Sequence, residues 1–183
     1  ILGSDGFECE TGYTDFNLVF AEIFNGAHYR STTGGGGMMP ISAGMEPGPW
    51  QTPQHLDYAD DDIIYTGHNT QIYRSTNRGT NWVSVYTPPA FGGGRAIHQC
   101  FTDPDFVACA GAGRVFYSTD RGLTWQPTAG NAATSNAISD VVVHPTNPDI
   151  MAITIGTYST SPTFRQAFKT TDRGASWFPI DDT

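Results

Sequence analysis

Charge is scarce in this chain, and positive charge scarcest: 15% of residues are charged, with 9 Lys and Arg against 18 Asp and Glu, a formal net charge of −9. A nucleic-acid partner is excluded on that ground, because affinity for a phosphate backbone comes largely from clustered Lys and Arg. An anionic membrane surface is disfavoured for the same reason. No apolar run approaches the roughly 18 residues of a membrane-spanning helix, so no membrane insertion is expected. The 3 cysteines cannot form a complete disulfide set, and at least one is free or paired outside the chain.

Catalytic signatures are equally sparse. His28, His55, His68, His98 and His144 show neither His-x-His nor His-Glu-x-x-His spacing, so no zinc centre is expected. Asp60-Asp61-Asp62 lacks the spaced ligands and glycine of a calcium loop. Ser-His-Asp and Cys-His chemistry have no local signature, and no glycine-rich phosphate loop follows a strand. The expectation is therefore no metal, no cofactor and no catalytic residue. Glu8, Glu10, Glu22, Glu46 and the acidic turn at Asp60 are the candidates for paired-carboxylate glycoside hydrolysis. Their spacing identifies no pair, and solvation or turn formation accounts for them.

What is abundant is turn chemistry and aromatic mass: 21 Gly, 12 Pro and 13% Phe, Trp and Tyr point to many short strands joined by tight turns. The chain is of single-domain length and can bury a sizeable core. It begins Ile1-Leu2-Gly3-Ser4 rather than with Met, which points to a processed or trimmed segment of something longer.

One eight-residue signature recurs, as Ser75-Thr76-Asn77-Arg78-Gly79-Thr80-Asn81-Trp82, Ser118-Thr119-Asp120-Arg121-Gly122-Leu123-Thr124-Trp125 and Thr170-Thr171-Asp172-Arg173-Gly174-Ala175-Ser176-Trp177. A degraded copy begins at Ser31, so the steps are 44, 43 and 52 residues, the period of propeller blades. Apolar and β-branched runs precede each copy in the same order. Ile138–Val143, Ile150–Ile155, Ala167–Thr170 and the run from Trp177 read as four strands of the last repeat. An all-β propeller of about four four-stranded antiparallel blades follows, with repeats near 1–49, 50–94, 95–136 and 137–183 in a single domain. Aligning the repeats through Pro104 and Pro145 places Cys100 opposite Val141, with Cys9 at the same place in the first repeat. Cys9 and Cys100 then read as small buried hydrophobes. Cys109, on the following strand, is a candidate cross-strand disulfide partner for Cys100.

Each element of the signature has a folding role. Gly79, Gly122 and Gly174 allow a three-residue hairpin with a left-handed glycine. Asn77, Asp120 and Asp172 accept backbone N–H groups within the turn, beside Ser75, Ser118 and Thr170. Trp82, Trp125 and Trp177 return on the next strand to cover its apolar underside. Read together, these residues resemble the Asp-box, or BNR repeat, of sialidase-like and sortilin-like β-propellers and of secreted repeat proteins. The resemblance implies boxes that are structural and remote from any active site. It also implies a secreted or cell-surface, bacterial setting, and membership of a larger propeller of about six to eight blades.

Sialidases of this fold hold a carboxylate with three arginines. Here Arg78, Arg121 and Arg173 share the hairpin tip, Arg30, Arg74 and Lys169 precede the box, and Arg114 aligns with Gln71 and Gln166. Arg95 and Arg165 alone fall outside the repeat, too few for that triad. The expected function is a non-catalytic module that binds a protein or glycan; the alternative is a portion of a glycoside hydrolase with catalytic residues partly outside this chain. Trp50, Tyr58, Phe91, Arg95, Tyr158 and Arg165 are the candidate ligand contacts, against packing as the competing role for the aromatics. The glycine-rich stretches at 34–37, running on to Pro49, and at 92–94 read as interblade loops or spacers. Further blades of the same protein, or self-association through open blade edges, are the other partners expected.

Overall fold

The computed structural model describes residues 5–130, 138–161 and 163–181; Ile1–Ser4 and the repeat boundary expected at 136/137 lie outside them. The described residues form four antiparallel meanders and no helix. Blade 1 comprises β1 (Cys9–Thr11), β2 (Val19–Glu22), β3 (His28–Ser31) and β4 (Met39–Pro40). Blade 2 comprises β5 (Gln54–Leu56), β6 (Ile64–Gly67), β7 (Ile72–Ser75) and β8 (Val83–Tyr86). Blade 3 comprises β9 (Ala96–Gln99), β10 (Val107–Ala110), β11 (Val115–Ser118) and β12 (Gln126–Pro127). Blade 4 comprises β13 (Ile138–Val143), β14 (Met151–Ile155), β15 (Ala167–Thr170) and β16 (Phe178–Pro179). The fold is the all-β propeller expected from the repeat, here as four blades.

The core lies between blades. Leu18, Phe20 and Ile41 of blade 1 meet Leu56 and Ile64 of blade 2. Ile63, Tyr65 and Ile72 meet Ile97, Val107, Cys109 and Phe116 of blade 3, and Phe106, Ala108 and Val115 meet Val141, Val143, Met151 and Ile153 of blade 4. Successive strand residues point to opposite faces, so a blade sandwiched on both sides needs apolar residues on both. Each large apolar side chain so buried contributes about 1.5–3 kcal/mol. Blade 4 leaves its far face uncovered: Val142, Phe178 and Ile180 are exposed there. Val142, Pro145, Ile150, Met151 and Ala152 line an apolar hollow of about 290 Å³ on that blade.

The boxes tie blades together. Ser118 Oγ accepts the N–H groups of Asp120 at 3.2 Å and Gly122 at 2.8 Å, and the Asp120 carboxylate accepts that of Thr124 at 2.8 Å. Ser75 and Thr170 repeat the arrangement with Gly79 and Gly174. The degraded copy keeps half of it, Ser31 Oγ accepting from Thr33 and Gly35 at 3.1 Å each. The turn differs from the expected three-residue form, because Arg78, Arg121 and Arg173 are left-handed as well as the glycines that follow, with φ of 58°, 58° and 56°. Two consecutive left-handed residues make a primed two-residue turn, whose twist matches that of the flanking strands. Each arginine N–H then reaches a 1→2 turn carbonyl of its own blade at 2.9 Å, those of Asp62, Asp105 and Asp149. The box tryptophans pack on the preceding blade, Trp82 donating to Ile41 O at 2.6 Å.

Three sequence expectations change. Hydrogen-bond equivalence pairs Cys100 with His144, each donating its N–H across the turn, to Phe106 and Ile150 respectively. Pro104 therefore corresponds to Pro148, and not to Pro145; two prolines in Pro145-Thr146-Asn147-Pro148 had made the alignment ambiguous. All three cysteines are free. Cys109 is paired in register with Ile97 and Phe116, so Cys100, beyond the end of β9, does not face it. Cys9 is exposed, and not buried, because it sits in blade 1, where the described residues hold no preceding blade. Its register partner Ala21 shares that open side.

The glycine-rich stretches are more than spacers. Residues 34–37 complete the degraded hairpin, and β4 follows immediately. The remainder is strapped to blade 2, where the Glu46 carboxylate accepts Thr70 N–H at 2.7 Å and Thr70 Oγ1–H at 2.8 Å. A Cβ on Gly94 would lie 2.4 Å from Gly67 O, so this glycine permits the close approach of blades 2 and 3.

Candidate functional site

A meander places its 1→2 turns and 3→4 hairpins at one end, and its 2→3 and 4→1 connections at the other. The boxes therefore occupy one end of the arc, the box end. Trp50, Phe91 and Arg95 lie on 4→1 connections, and Tyr158 and Arg165 on a 2→3 connection, all at the opposite loop end. Tyr58 lies between β5 and β6, at the box end, apart from the other five.

Burial separates these candidates. Tyr158 is 85% exposed and Trp50 57%. Phe91 is 2% exposed and packs edge-on against Phe116 in the core between blades 2 and 3, so it offers no surface to a ligand. Its ring lies against Gly111, where an added Cβ would stand 2.6 Å from Phe91 Cδ2. Tyr58 is half-buried in a cluster with Tyr13, His55, His98 and Phe101. Arg165 donates to Asp181 O at 3.0 Å and ties blade 4 to its own last turn.

The loop end holds two features able to take a ligand. The indole of Trp50 stacks on Phe24 with centroids 5.3 Å apart and planes 18° apart, while Phe7 meets it edge-on at 6.2 Å. One aromatic face is thus supported from below while the side chain remains mostly exposed, the arrangement of a stacking platform. Nearby in the chain, Gln51 joins Arg95, Ile138, Ser139 and Gly156 around a hollow of about 260 Å³. Among the described residues the Arg95 Nε–H has no hydrogen-bond partner. A guanidinium in a polar hollow is suited to a carboxylate or to vicinal hydroxyls.

The acidic candidates have other occupations. The inner edge of each blade presents unpaired N–H groups, and side chains of the neighbouring inner strand cap them. Glu8 accepts Gln54 N–H at 2.8 Å, Glu10 accepts Leu56 N–H at 2.6 Å, Gln99 accepts Tyr58 N–H at 2.8 Å and His98 accepts Val143 N–H at 3.2 Å. Glu10 also meets His55 at 3.3 Å. Asp61 caps Tyr13, Thr14 and Asp15 N–H groups of blade 1, and Asp60 caps Asp62 N–H. Among the described residues no group of three His, Cys, Asp or Glu side chains is placed to hold a metal ion.

Burial raises Glu8 to about 7, helped by the charges of Glu10 and Asp140, and raises Glu22 to about 8, helped by Glu8. Glu22 is buried, with Oε1 accepting Thr52 N–H at 3.4 Å and Oε2 unpartnered. A carboxyl with a raised folded-state pKa favours the fold while protonated and loses that contribution as pH rises through its folded value. Stability should therefore fall between about pH 4.5 and 8. Glu22→Gln keeps the Thr52 acceptor without the charge. At pH 9 it is expected to stabilise the chain by about 2 kcal/mol, about 4–8 °C in melting midpoint, with little change at pH 5. Melting curves at the two pH values check this, and an unchanged slope in the variant would refute it.

Sequence reasoning did not single out Asp57, which is fully buried. It accepts Arg121 Nε–H and NH2 at 3.0 Å each, Tyr65 Oη–H at 3.1 Å and Gln99 Nε2–H at 2.7 Å. Its repeat equivalents are Gly12, Cys100 and His144, so no periodic signal marks it. Arg78 and Arg173 pair instead with turn acids, at 2.7 Å to Asp62 and 2.7 Å to Asp149.

Solved structures share the fold. An ancestral GH74 enzyme superposes with a TM-score of 0.75 at 17% identity, covering 97% of this chain and 24% of that one. The GH74 xyloglucanase from Xanthomonas campestris gives 0.67 at 18% identity, covering 100% and 31%. YCF48 from Cyanidioschyzon merolae gives 0.62 at 13% identity, covering 100% and 58%. The chain thus spans about a quarter to a third of the length of the GH74 structures it matches. No curated protein matches it. The family described as Sortilin, neurotensin receptor 3 (Sortilin-Vps10), matches residues 40–183. With that match over most of its length, on a chain of Asp-box blades, this protein belongs to the Sortilin-Vps10 family of β-propellers.

Proposed function

We propose that this chain is a non-catalytic arc of propeller blades in a secreted or cell-surface protein, and that it engages a protein or glycan ligand at its loop end. The single observation carrying the reading is the supported, exposed indole of Trp50 at the same end as the Arg95 hollow. A pyranose ring presents one apolar face to an aromatic platform, and its hydroxyls or a carboxylate suit a guanidinium, which favours a glycan. Further blades of the same protein are the partners for the apolar far face of blade 4. The inner-edge roles of Glu8 and Glu10, the strap role of Glu46 and the turn-cap role of Asp60 support a binding module over a hydrolase.

Calorimetric titration with neutral and uronate-bearing oligosaccharides tests the reading. Trp50→Ala is expected to weaken binding roughly tenfold, within the range for a stacking ring. Arg95→Ala is expected to weaken the uronate-bearing ligands selectively. Binding unaffected by both substitutions would sink the proposal. Chain cleavage lost on replacing a single carboxylate would transfer the argument to the glycoside hydrolase alternative.

A further inference from the structure

The box end carries a second repeat that the boxes overshadow. Leu18 donates its N–H to Asp15 O, Ile63 to Asp60 O, Phe106 to Asp103 O and Ile150 to Asn147 O, at 2.9, 3.0, 3.0 and 3.1 Å. These bonds put Asp15, Asp60, Asp103 and Asn147 at one repeat position. Two residues earlier in each blade stand Tyr13, Tyr58, Phe101 and Pro145. Three successive blades thus present an aromatic residue, any residue and an aspartate on their 1→2 turns, and the fourth breaks the series on both counts.

The rings form a continuous row. Tyr58 sits between Tyr13 at 5.2 Å and Phe101 at 5.4 Å, both in edge-to-face contact. Tyr13 is 43% exposed and Phe101 58%. Burial of apolar surface explains neither ring, since the core between blades is filled without them. The surroundings are acidic. Asp60, Asp62, Asp103 and Asp105 are exposed on the same turns. The box arginines at this end are already engaged, Arg78 with Asp15 and Asp62, Arg121 with Asp57 and Arg173 with Asp149. Asp103 makes no side-chain hydrogen bond among the described residues, and Asp60 only caps its own turn.

We infer that this row of Tyr13, Tyr58 and Phe101, framed by Asp60 and Asp103, docks a basic protein segment whose Lys or Arg heads lie over the rings. Charge complementarity selects the occupant: aromatic faces attract cations through the ring quadrupole, and unpaired carboxylates beside them add a direct attraction. The aliphatic stems of Lys and Arg cover the apolar ring edges. This surface lies at the opposite end of the arc from the ligand site proposed above and stands independently of it.

The test is binding of an acetylated, amidated hexa-arginine peptide to the 183-residue chain, followed by fluorescence anisotropy in about 0.1 M salt, where charges beyond about 10 Å are screened. Phe101→Ala is expected to weaken binding roughly threefold, as is Phe101→Leu, which keeps an apolar side chain and removes the quadrupole. The Asp60→Asn, Asp103→Asn pair is expected to weaken it roughly tenfold. Removing the same charge elsewhere, through Asp5→Asn with Asp181→Asn, should leave it unchanged. Equal weakening by the remote pair would reduce the effect to net charge and overturn the inference, as would full affinity in both Phe101 variants. Phe101, Asp5, Asp60 and Asp103 are exposed, and Asp181, which accepts Gln166 N–H at 2.6 Å, keeps an acceptor as asparagine; melting midpoints near the parent value verify that the comparison is between folded proteins.

Discussion

Asp57→Ala should cost this chain about 3–5 kcal/mol, the range for breaking a buried ion pair by removing one partner. The carboxylate is fully buried and is the meeting point of Arg121, Tyr65 and Gln99. Truncation strands the guanidinium of Arg121, which among the described residues pairs with no other acid. It also leaves the Tyr65 hydroxyl to Arg121 O alone, at 3.2 Å. Since Asp57 belongs to blade 2 while Arg121 and Gln99 belong to blade 3, the loss falls on the interface between blades. Denaturant unfolding of the purified variant measures it. Asp57→Asn should cost less than the alanine, because it keeps an acceptor for one Arg121 N–H; a loss under about 1 kcal/mol for Asp57→Ala would show that the pair only breaks even against its desolvation.

Gly122→Ala should cost about 2–4 kcal/mol. The residue has φ +75°, and an added Cβ would stand 2.5 Å from Tyr65 Cε1, the ring held in place by Asp57. Strain and overpacking therefore act on one interface. Gly35→Ala is the matched control: it has φ +97° with nothing within 4 Å of the added atom, so only the backbone term, about 1 kcal/mol, is expected. Comparable losses in the two variants would mean that the blade contact yields to the methyl group. The same geometry recurs at Gly79 against Ile41 and at Gly174 against Thr128, each on the preceding blade. A box glycine thus serves two purposes, a left-handed turn and room for the neighbouring blade.

Much of this was legible in the residues because it is local and repeated. Four strands per blade, their order and the Asp- and Asn-to-backbone bonds of the box follow from alternation, β-branched runs and turn residues within one eight-residue signature; the bonds to the Ser and Thr hydroxyls were added by the structure. The misplacements came where the repeat was ambiguous or absent. A one-turn error at Pro145 and Pro148 displaced Cys100, and Phe91 sat in a glycine-rich stretch that reads as loop although its ring fills the space between two blades. No other repeat carries an acid at the position of Asp57, so periodicity was silent about a buried carboxylate that joins two blades.

By itself the sequence determined the blade architecture, the role of the boxes, the absence of a basic surface and the lack of any metal-ligand spacing. Those properties depend on residue type and on neighbours a few positions away. The tertiary structure alone decided which blade faces are covered, that Glu8 and Glu10 cap the inner edge of the next blade, and that Trp50 and Tyr58 lie at opposite ends. Contacts between blades join residues about 24 to 64 positions apart. Their partners are chosen by the packing angle of whole sheets, which no short pattern of residues encodes.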